Sequence, residues 1–294
     1  MTQTPVIFGE VLFDQFPDGS SVPGGAPFNV AWHLQAFGRS PLLISRIGED
    51  ELGRRIQDAM KDWGMTTAGL QRDPDHPTGT VSVSLKEGEP SFEIVPNQAY
   101  DHISAAEFPD LSPSLIYHGS LAVRHPDSAA ALEALLSRSP SPVFVDVNLR
   151  APWWKVGTIV SLLEHARWVK LNAEEIDLLV EQSGPTVEKA RYLIERQDLD
   201  MVILTFGAEG AACIEADGAV QRVHPRKVEV VDTVGAGDAF ASVIILGLLN
   251  QWPTNIMIAR AQAFASAVVS NRGATIHDQD FYLSFIQQWG RKSS

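Results

Sequence analysis

The sequence predicts an α/β fold with a mostly parallel central sheet and a small β segment attached to it. Short apolar runs alternate along the chain with segments whose apolar residues have helical spacing. Hydrophobic residues make up 45% of the 294 positions, which is enough for a large core. One stretch alternates apolar and polar residues instead, as a half-exposed β-hairpin does.

The apolar runs predict the strands and the helical spacing predicts the helices. Strands are expected at residues 6–8, 42–47, 115–118, 143–148, 168–171, 201–206 and 211–214. Helices are expected at residues 25–37, 51–63, 127–136, 174–180 and 239–249. Strands separated by helices pair in parallel, and the helices then cover both faces of the sheet.

Two segments depart from this alternation. Residues 14–22 form a polar insert rich in turn residues. Residues 80–95, TVSVSLKEGEPSFEIV, predict a hairpin that turns at its central Glu-Gly pair. A hairpin inside an α/β chain suggests a lid that excludes water from a reaction, and the alternative is a surface hairpin without such a role.

Composition excludes several classes of function. The formal net charge of -13 disfavours nonspecific binding to nucleic acids and anionic membranes. The single cysteine, Cys213, cannot form an internal disulfide, and its apolar neighbours predict burial. The N-terminus has no basic region typical of signal peptides, and no apolar run approaches the ~20 residues of a membrane span. We therefore expect a soluble cytoplasmic protein.

The segment DTVGAGD at residues 232–238 is the most informative in the chain. A β run is expected to enter it and an apolar helix to leave it, so its amides would face outward at a helix N-terminus that favours anions. An aspartate there would repel a bound phosphate, but Asp238 suits a base that takes a proton from an attacking hydroxyl. The alternative is an ordinary aspartate cap after a glycine-rich turn.

Other nucleotide-binding motifs fit poorly. The run GAGDAF lacks the third glycine of a dinucleotide fingerprint. The chain has no Gly-Lys pair, so it has no Walker A loop, and the protein-kinase catalytic signature is missing as well.

Two motifs together resemble the ribokinase (PfkB) family of carbohydrate kinases. DTVGAGD is similar to that family's second signature, and GGAPFNVA at residues 24–31, with the later IGEDELG, is similar to its first. They stand in the family's order, roughly 200 residues apart. The resemblance covers residues 1–294 and implies one ribokinase-like three-layer α/β/α domain, with lid segments at about 12–23 and 78–100. Within the family, GEVLFD, GGAPFNVA and DVNLR are most similar to bacterial fructokinases.

The resemblance implies a phosphate end of the site. Asp238 is the expected base, and the amides of Gly235, Ala236 and Gly237 form the expected anion hole. ATP and Mg²⁺ are the expected cosubstrate and metal. Asn172 is expected near the phosphates and Glu175 near magnesium, acting through water.

Some of these positions also have simpler interpretations. Asn172 with Glu175 three residues later has the pattern of a helix capping box. Thr205, Gly207 and Gly210 in TFGAEGA are similar to the family's nucleotide loop, and the alternative is an ordinary hairpin turn.

The resemblance also implies a sugar end. Asp14 is expected to accept two sugar hydroxyls, Asn29 offers both a donor and an acceptor, and Gly24 and Gly25 let the backbone approach the ring. Without the family context, Asp14 is a turn residue and Asn29 a surface amide.

The segment DVNLR at residues 146–150 ends a strand, and its polar side chains should face the ligand edge of the sheet. Asp146 is expected near the phosphates. Arg150 is expected to contact the transferred phosphoryl group, and the alternative is an Arg–Asp pair.

The sequence departs from its relatives in the lid. Many relatives carry a basic residue in the strand before a Pro-x-x-Ala turn, where this chain has Glu93. We expect Asn97 and Gln98 to supply hydroxyl contacts in its place. The resemblance also suggests a potassium ion near Asp232 and the loop at residues 270–277.

The expected reaction is transfer from MgATP to a hydroxyl of fructose. The alternatives are a kinase for a nucleoside or for a sugar acid such as 2-keto-3-deoxygluconate, and a noncatalytic sugar-binding regulator on the same fold. A dinucleotide-dependent oxidoreductase is disfavoured by the missing fingerprint.

The expected partner is a small sugar, with neither nucleic acid nor membrane. An apolar lid face holding Val81, Val83 and Leu85 leaves a homodimer through the lid open.

Overall fold

The computed structural model describes residues 4–86, 89–225 and 228–290. Its strands, in chain order, are β1 (Thr4–Phe8), β2 (Leu12–Gln15), β3 (Ser21–Gly24), β4 (Leu42–Gly48), β5 (Leu70–Asp73), β6 (Gly79–Lys86), β7 (Glu89–Ile94), β8 (Pro113–His118), β9 (Val143–Asp146), β10 (Trp168–Asn172), β11 (Met201–Thr205), β12 (Ala211–Glu215) and β13 (Val220–Val223).

The α-helices lie between and after these strands. They are α1 (Ala26–Ala36), α2 (Glu51–Asp62), α3 (Pro126–Arg138), α4 (Val156–Leu163), α5 (Ala173–Leu179), α6 (Thr186–Gln197), α7 (Ala236–Leu249), α8 (Thr254–Val268) and α9 (Gln279–Gly290).

Nine strands of the described chain form one sheet in the order β13-β12-β11-β10-β9-β8-β1-β4-β5. The seven strands from β11 to β5 are parallel, and β12 and β13 extend the sheet antiparallel. The parallel strands all present their carboxyl ends at one edge. A ligand site of an open α/β sheet lies at that edge.

Helices cover both faces of this sheet. One apolar core contains Phe28 of α1, Ile244 of α7 and Phe264 of α8, and the other contains Leu132 of α3 and Leu193 of α6. Side chains alternate between the two cores along a strand, as the two-residue period of a strand requires. The predicted three-layer α/β/α arrangement is therefore confirmed.

A second sheet has the order β3-β2-β6-β7. Strand β2 pairs antiparallel with β3 and parallel with β6, and β6 pairs antiparallel with β7. The polar insert at residues 14–22 is therefore largely part of a β2–β3 hairpin, because its turn residues at Asp18–Ser20 close two short strands.

Two expectations about the lid surface need comment. Val81 was expected on an exposed apolar face, but it is buried against Leu12, Tyr100 and Ala122. The side chains of Val83 and Leu85 lie outside the described residues. Glu93, where many relatives carry a basic residue, is exposed to solvent.

The β run expected to enter DTVGAGD is wrong for residues 228–231. These residues form no strand, and Val230 and Val231 are each 59% exposed. The amides of Val231 and Asp232 donate instead to the carbonyl of Val269, which follows α8. High β propensity does not make a strand where no neighbouring strand offers a partner.

Two smaller expectations can also be checked. Cys213 is fully buried in β12, as its apolar neighbours predict. Among the described residues, no helix is both long enough and apolar enough to span a bilayer.

Candidate active site

The first contact of the site joins two helices that are distant in sequence. The side-chain amide of Asn29, in α1, donates to the Asp238 carboxylate, in the first turn of α7, across 2.8 Å. Asn29 is 4% exposed, and its Oδ1 has no hydrogen-bond partner among the described residues. The two signatures identified in the sequence therefore meet at one point.

Asp238 lies in an environment that favours its protonated form. Burial raises the pKa of its carboxyl and nearby Asp146 raises it further, while the Asn29 hydrogen bond and the charges of Lys170 and Arg150 oppose the shift. The pKa of Asp238 lies above its ordinary value. A carboxylate whose pKa has moved toward neutrality is a better proton acceptor.

The turn before Asp238 has the geometry that its glycines predict. Gly235 caps α7 in the left-handed region, with φ of 78°. A Cβ there would lie 2.6 Å from the Cα of Ala274, so no side chain fits. The amide of Ala236 already donates to the Thr233 carbonyl at 3.3 Å. The amides of Gly235 and Gly237 have no partner within the described ranges, so these two remain free to bind an anion.

Two of the residues expected to contact a sugar lie in the small sheet. Asp14 lies in β2 and Gly24 in β3, and a Cβ on Gly24 would lie 2.8 Å from the Asp14 carboxylate. Gly25 has φ of 100°, and a Cβ there would meet the Glu10 carbonyl at 2.7 Å. Gly25 is therefore required by its φ and by the close backbone, whereas Gly24 leaves room for the Asp14 side chain.

Asp14 is electrostatically linked to the rest of the site. Burial raises the pKa of its carboxyl to about 6, and the negative charges of Asp238 and Asp232 add to the shift while Arg150 opposes it. Asp14 therefore lies close enough to Asp238 and Asp232 for their charges to interact.

Glu10 belongs to this cluster, although the sequence analysis did not single it out. It follows β1 at the carboxyl edge of the sheet, is 2% exposed, and its Oε2 has no partner within the described residues. Burial and the charge of Asp238 raise its pKa to about 7, against a backbone hydrogen bond and the charges of Arg124 and Arg150. Glu10 could have been found from the sequence, because it is an acidic residue just after a short apolar strand.

Asp146 lies at the end of β9 in a buried ion pair. Its Oδ1 accepts from Lys170 Nζ at 2.6 Å, and its Oδ2 accepts from the Tyr117 hydroxyl at 3.1 Å. Burial alone would lower the pKa of Lys170, but the attraction of Asp146 prevails and the pKa is raised. Lys170 thus stays charged in a buried position.

Lys170 is the second residue that sequence reasoning missed. A Cβ built on Gly237 would lie 3.6 Å from Lys170 Nζ, so the ammonium group sits beside the glycine-rich turn. The signal was a single lysine inside the otherwise apolar strand WVKLN. Such a lysine needs a buried partner, and here Asp146 provides it.

Asn172 and Glu175 form the capping box at the start of α5. Asn172 Oδ1 accepts from the Glu175 amide and Glu175 Oε2 accepts from the Asn172 amide, both at 2.8 Å. Glu175 Oε1 also accepts from the Leu149 amide at 3.1 Å. Burial raises the pKa of Glu175 against these hydrogen bonds. The structural interpretation of this pair is confirmed, and Glu175 also ties α5 to the DVNLR segment.

The glycine-rich turn after β11 is a hairpin turn, as the simpler alternative expected. Thr205 pairs with Ala211 across the hairpin and with Asn172 in β10. Gly210 has φ of 101°, and a Cβ there would collide with the Val223 carbonyl, whereas a Cβ on Gly207 would meet open space. The turn nevertheless lies beside Asn172 at the carboxyl edge.

Three predicted residues lie at the margin of the site. Arg150 is exposed and makes no ion pair within the described chain, so the Arg–Asp alternative is not realised. Asp232 accepts from the amides of Val234 and Gly273, each at 3.0 Å. Asn97 is exposed, and its side-chain carbonyl lies 2.9 Å from His102 Nε2 rather than against a sugar-site residue.

The chain is similar to known proteins over most of its length. The family model described as "pfkB family carbohydrate kinase" matches residues 7–280. The probable chloroplastic fructokinase-6 of Arabidopsis thaliana is 33% identical over 269 residues, which cover 83% of this chain and 70% of the relative. Aminoimidazole riboside kinase of Salmonella typhimurium is 29% identical over 289 residues, which cover 91% of this chain and 89% of the relative.

Solved structures have the same fold. Fructokinase with bound ATP from Xylella fastidiosa superposes with a TM-score of 0.87 at 23% identity, over 99% of this chain and 100% of that one. A fructokinase double mutant from Vibrio cholerae in fructose, ADP and potassium ion bound form gives 0.83 at 25% identity, over 97% and 98% of the two chains.

Proposed function

The chain belongs to the pfkB family of carbohydrate kinases, and we propose that it transfers the terminal phosphate of ATP to a hydroxyl of fructose. The observation that carries the proposal is the Asn29–Asp238 contact, which fixes a carboxylate beside free amides at the N-terminus of α7. A base next to an anion site is the arrangement that phosphoryl transfer to an alcohol needs. The Vibrio cholerae relative was solved with fructose and ADP bound.

Asp238 is proposed to take the hydroxyl proton of the sugar. The sugar oxygen then forms a bond to the γ-phosphorus, and the bond from that phosphorus to the β–γ bridging oxygen breaks, which releases ADP. The raised pKa of Asp238 suits this role, because a weakly basic carboxylate would hold the proton too loosely.

Positive charge near the phosphoryl oxygens is proposed to come from several sources. The amides of Gly235 and Gly237 lie at the positive end of α7, and Lys170 Nζ lies beside Gly237. Arg150 is exposed with no competing ion pair in the described chain, so its guanidinium is free to reach a phosphate.

Magnesium is the metal we propose to accompany ATP. Each oxygen of Glu175 accepts one backbone amide and keeps a second lone pair, so this carboxylate fits a metal-bound water rather than direct ligation. Asn172 and Glu175 would hold the hydrated ion at the edge of the sheet. The ion would neutralise charge on the ATP phosphates.

A potassium ion near Asp232 is a further part of the proposal. Asp232 binds the amides of Val234 and Gly273 and so joins the DTVGAGD turn to the loop after α8. The Vibrio cholerae fructokinase double mutant was solved with a potassium ion. A cation there would offset the negative charge of Asp232.

The acceptor is proposed to lie between the two sheets. Asp14 and Asn29 would bind its hydroxyls, with Gly24 and Gly25 leaving room for the ring. Asn97 would approach the acceptor only if the lid strands closed over it. Thr205, Gly207 and Gly210 are proposed to face the base and ribose of ATP.

A panel of acceptors tests the proposal directly. ADP release would be measured with MgATP and fructose, glucose, ribose, 2-keto-3-deoxygluconate or aminoimidazole riboside. We expect the highest kcat/KM with fructose. A higher value for another acceptor would overturn the fructose assignment, and no turnover with any of them would point to a sugar-binding regulator.

A riboside kinase is the second candidate. The match to aminoimidazole riboside kinase covers more of this chain than the match to fructokinase-6, at lower identity. The riboside arm of the panel decides between the two.

A further inference from the structure

A cluster of histidines lies outside the site described above. The rings of His76 and His102 stack with centroids 3.7 Å apart, and those of His102 and His125 lie 4.3 Å apart. A cleft of about 460 Å³ opens beside them. Its lining includes Arg46, Asp73, Asp75, His76, Glu107 and Asp127 and none of the kinase-site residues.

His102 and His125 of this cluster lie together with Asp127. Each of the three side chains offers one ligand atom, and these atoms all lie within 4.8 Å of one another. Asp127 Oδ2 is 2.7 Å from His102 Nδ1 and 3.6 Å from His125 Nδ1. Two imidazoles and one carboxylate are a common ligand set for zinc and similar transition metals.

The Nδ1 atom of His125 is available as a ligand at small cost. It accepts one long hydrogen bond, 3.4 Å, from the Asp127 backbone amide at the start of α3. Metal binding would replace this weak contact, because both use the single lone pair of Nδ1.

The outer contacts also match a metal-bound histidine. Metal-ligating histidines usually donate their second ring nitrogen to an oxygen, which fixes the ring. His102 does this, because its Nε2 lies 2.9 Å from Asn97 Oδ1. In the adjoining cleft, Asp73 and Glu107 are instead paired with Arg46, so they are not ligands of this site.

We propose that His102, His125 and Asp127 form a binding site for a divalent transition metal such as Zn²⁺, open to solvent on its remaining side. Zinc–ligand bonds of about 2.0–2.2 Å in a tetrahedral site separate neighbouring ligand atoms by about 3.3 Å. The His125–Asp127 separation is already near that value. The His102–Asp127 pair must widen by about 0.6 Å, which a turn of the 58% exposed Asp127 side chain allows. The proton between them leaves to solvent on binding.

The metal would also restrain one end of the lid. Asn97 lies in the turn after β7, with φ of 55°, and is held through His102. A metal that fixes the His102 ring would therefore also restrain Asn97, in the turn through which the chain leaves the small sheet.

The test measures zinc bound by the full chain in the absence of nucleotide and sugar, so it is independent of the proposed kinase activity. Metal analysis after equilibrium dialysis against excess Zn²⁺ should find one zinc per chain, and Co²⁺ should give the visible absorption of a tetrahedral N/O site. We expect His125→Ala and Asp127→Asn each to weaken binding at least 10-fold, and Asn97→Ala to weaken it about 10-fold through His102.

His165→Ala is the matched control, because His165 Nε2 lies 3.5 Å from Glu133 in a surface pair that has no second histidine. This variant should bind zinc as the wild type does. The proposal is overturned if the wild type binds no zinc, if His125→Ala and Asp127→Asn bind it normally, or if His165→Ala abolishes binding.

Discussion

The side-chain amide of Asn29 donates a 2.8 Å hydrogen bond to the Asp238 carboxylate, which lies 209 positions later in the chain. This bond stabilises the charged form of Asp238 and so opposes the rise in its pKa that burial causes. Asn29 therefore sets how basic the proposed base is. That relationship leads to the first prediction.

Removing the amide should move the acid limb of the rate profile. In Asn29→Ala, the carboxylate of Asp238 loses its hydrogen bond, so its pKa should rise further. We expect kcat, measured at saturating sugar, to fall away at a higher pH than in the wild type. If the midpoint of the acid limb of kcat does not move, Asn29 does not control the pKa of the proposed base.

Replacing the base itself should lower turnover without unfolding the chain. The new side chain in Asp238→Asn can still accept the Asn29 hydrogen bond, so the α1–α7 contact is kept. We expect kcat to fall at least about 10²-fold. Asp217→Asn, in an exposed turn, is the control and should turn over normally. Near wild-type turnover in Asp238→Asn would exclude it as the base.

The Gly235 turn should not tolerate a side chain. A Cβ at Gly235 would press on Ala274, whereas one at Gly273, which also has positive φ, would meet nothing within 4 Å. Both Gly235→Ala and Gly273→Ala carry the cost of a left-handed alanine, about 1 kcal/mol. Only Gly235→Ala should also distort the anion site and lower kcat, by about 10²-fold. Equal kinetics in the two variants would contradict this.

Glu10 should make the stability of the chain depend on pH. Its folded pKa of about 7 exceeds the ordinary value of 4.5, so the folded state holds the proton more tightly and stability falls as pH rises between these values. Glu10→Gln removes this loss. We expect its free energy of unfolding, relative to the wild type, to improve by about 2–3 kcal/mol from pH 5 to pH 8. Urea unfolding at both pH values measures this, and an unchanged difference would refute it.

Replacing both members of the Lys170–Asp146 pair should cost less stability than replacing Lys170 alone. Lys170→Met leaves a buried carboxylate without its cation and should cost about 3–5 kcal/mol. Adding Asp146→Asn neutralises that carboxylate while it can still accept from Tyr117, so the double variant should regain part of the loss. Urea unfolding of both variants provides the measurement. A double variant less stable than Lys170→Met would contradict the pairing.

The alternation of apolar runs and helices predicted the layered fold because both faces of the parallel sheet are buried, which leaves a strong pattern in the sequence. The valines at 230 and 231 misled for the opposite reason, since their β propensity had no strand to pair with. The signatures located Asp238, Asn29 and Gly235. A contact between distant segments leaves no local pattern in the sequence. The position of Lys170 beside Gly237 could therefore be found only in the folded structure.

The two sheets hold different parts of the proposed site. Asp14 and Gly24 lie on strands of the small sheet, while Asp238 and Lys170 lie on α7 and on β10 of the large one. Substitutions at Asp14 or Gly24 would therefore alter the proposed acceptor contacts and leave Asp238 and Lys170 in place. Acceptor choice and phosphate transfer can thus change separately, except at Asn29, which contacts Asp238 directly.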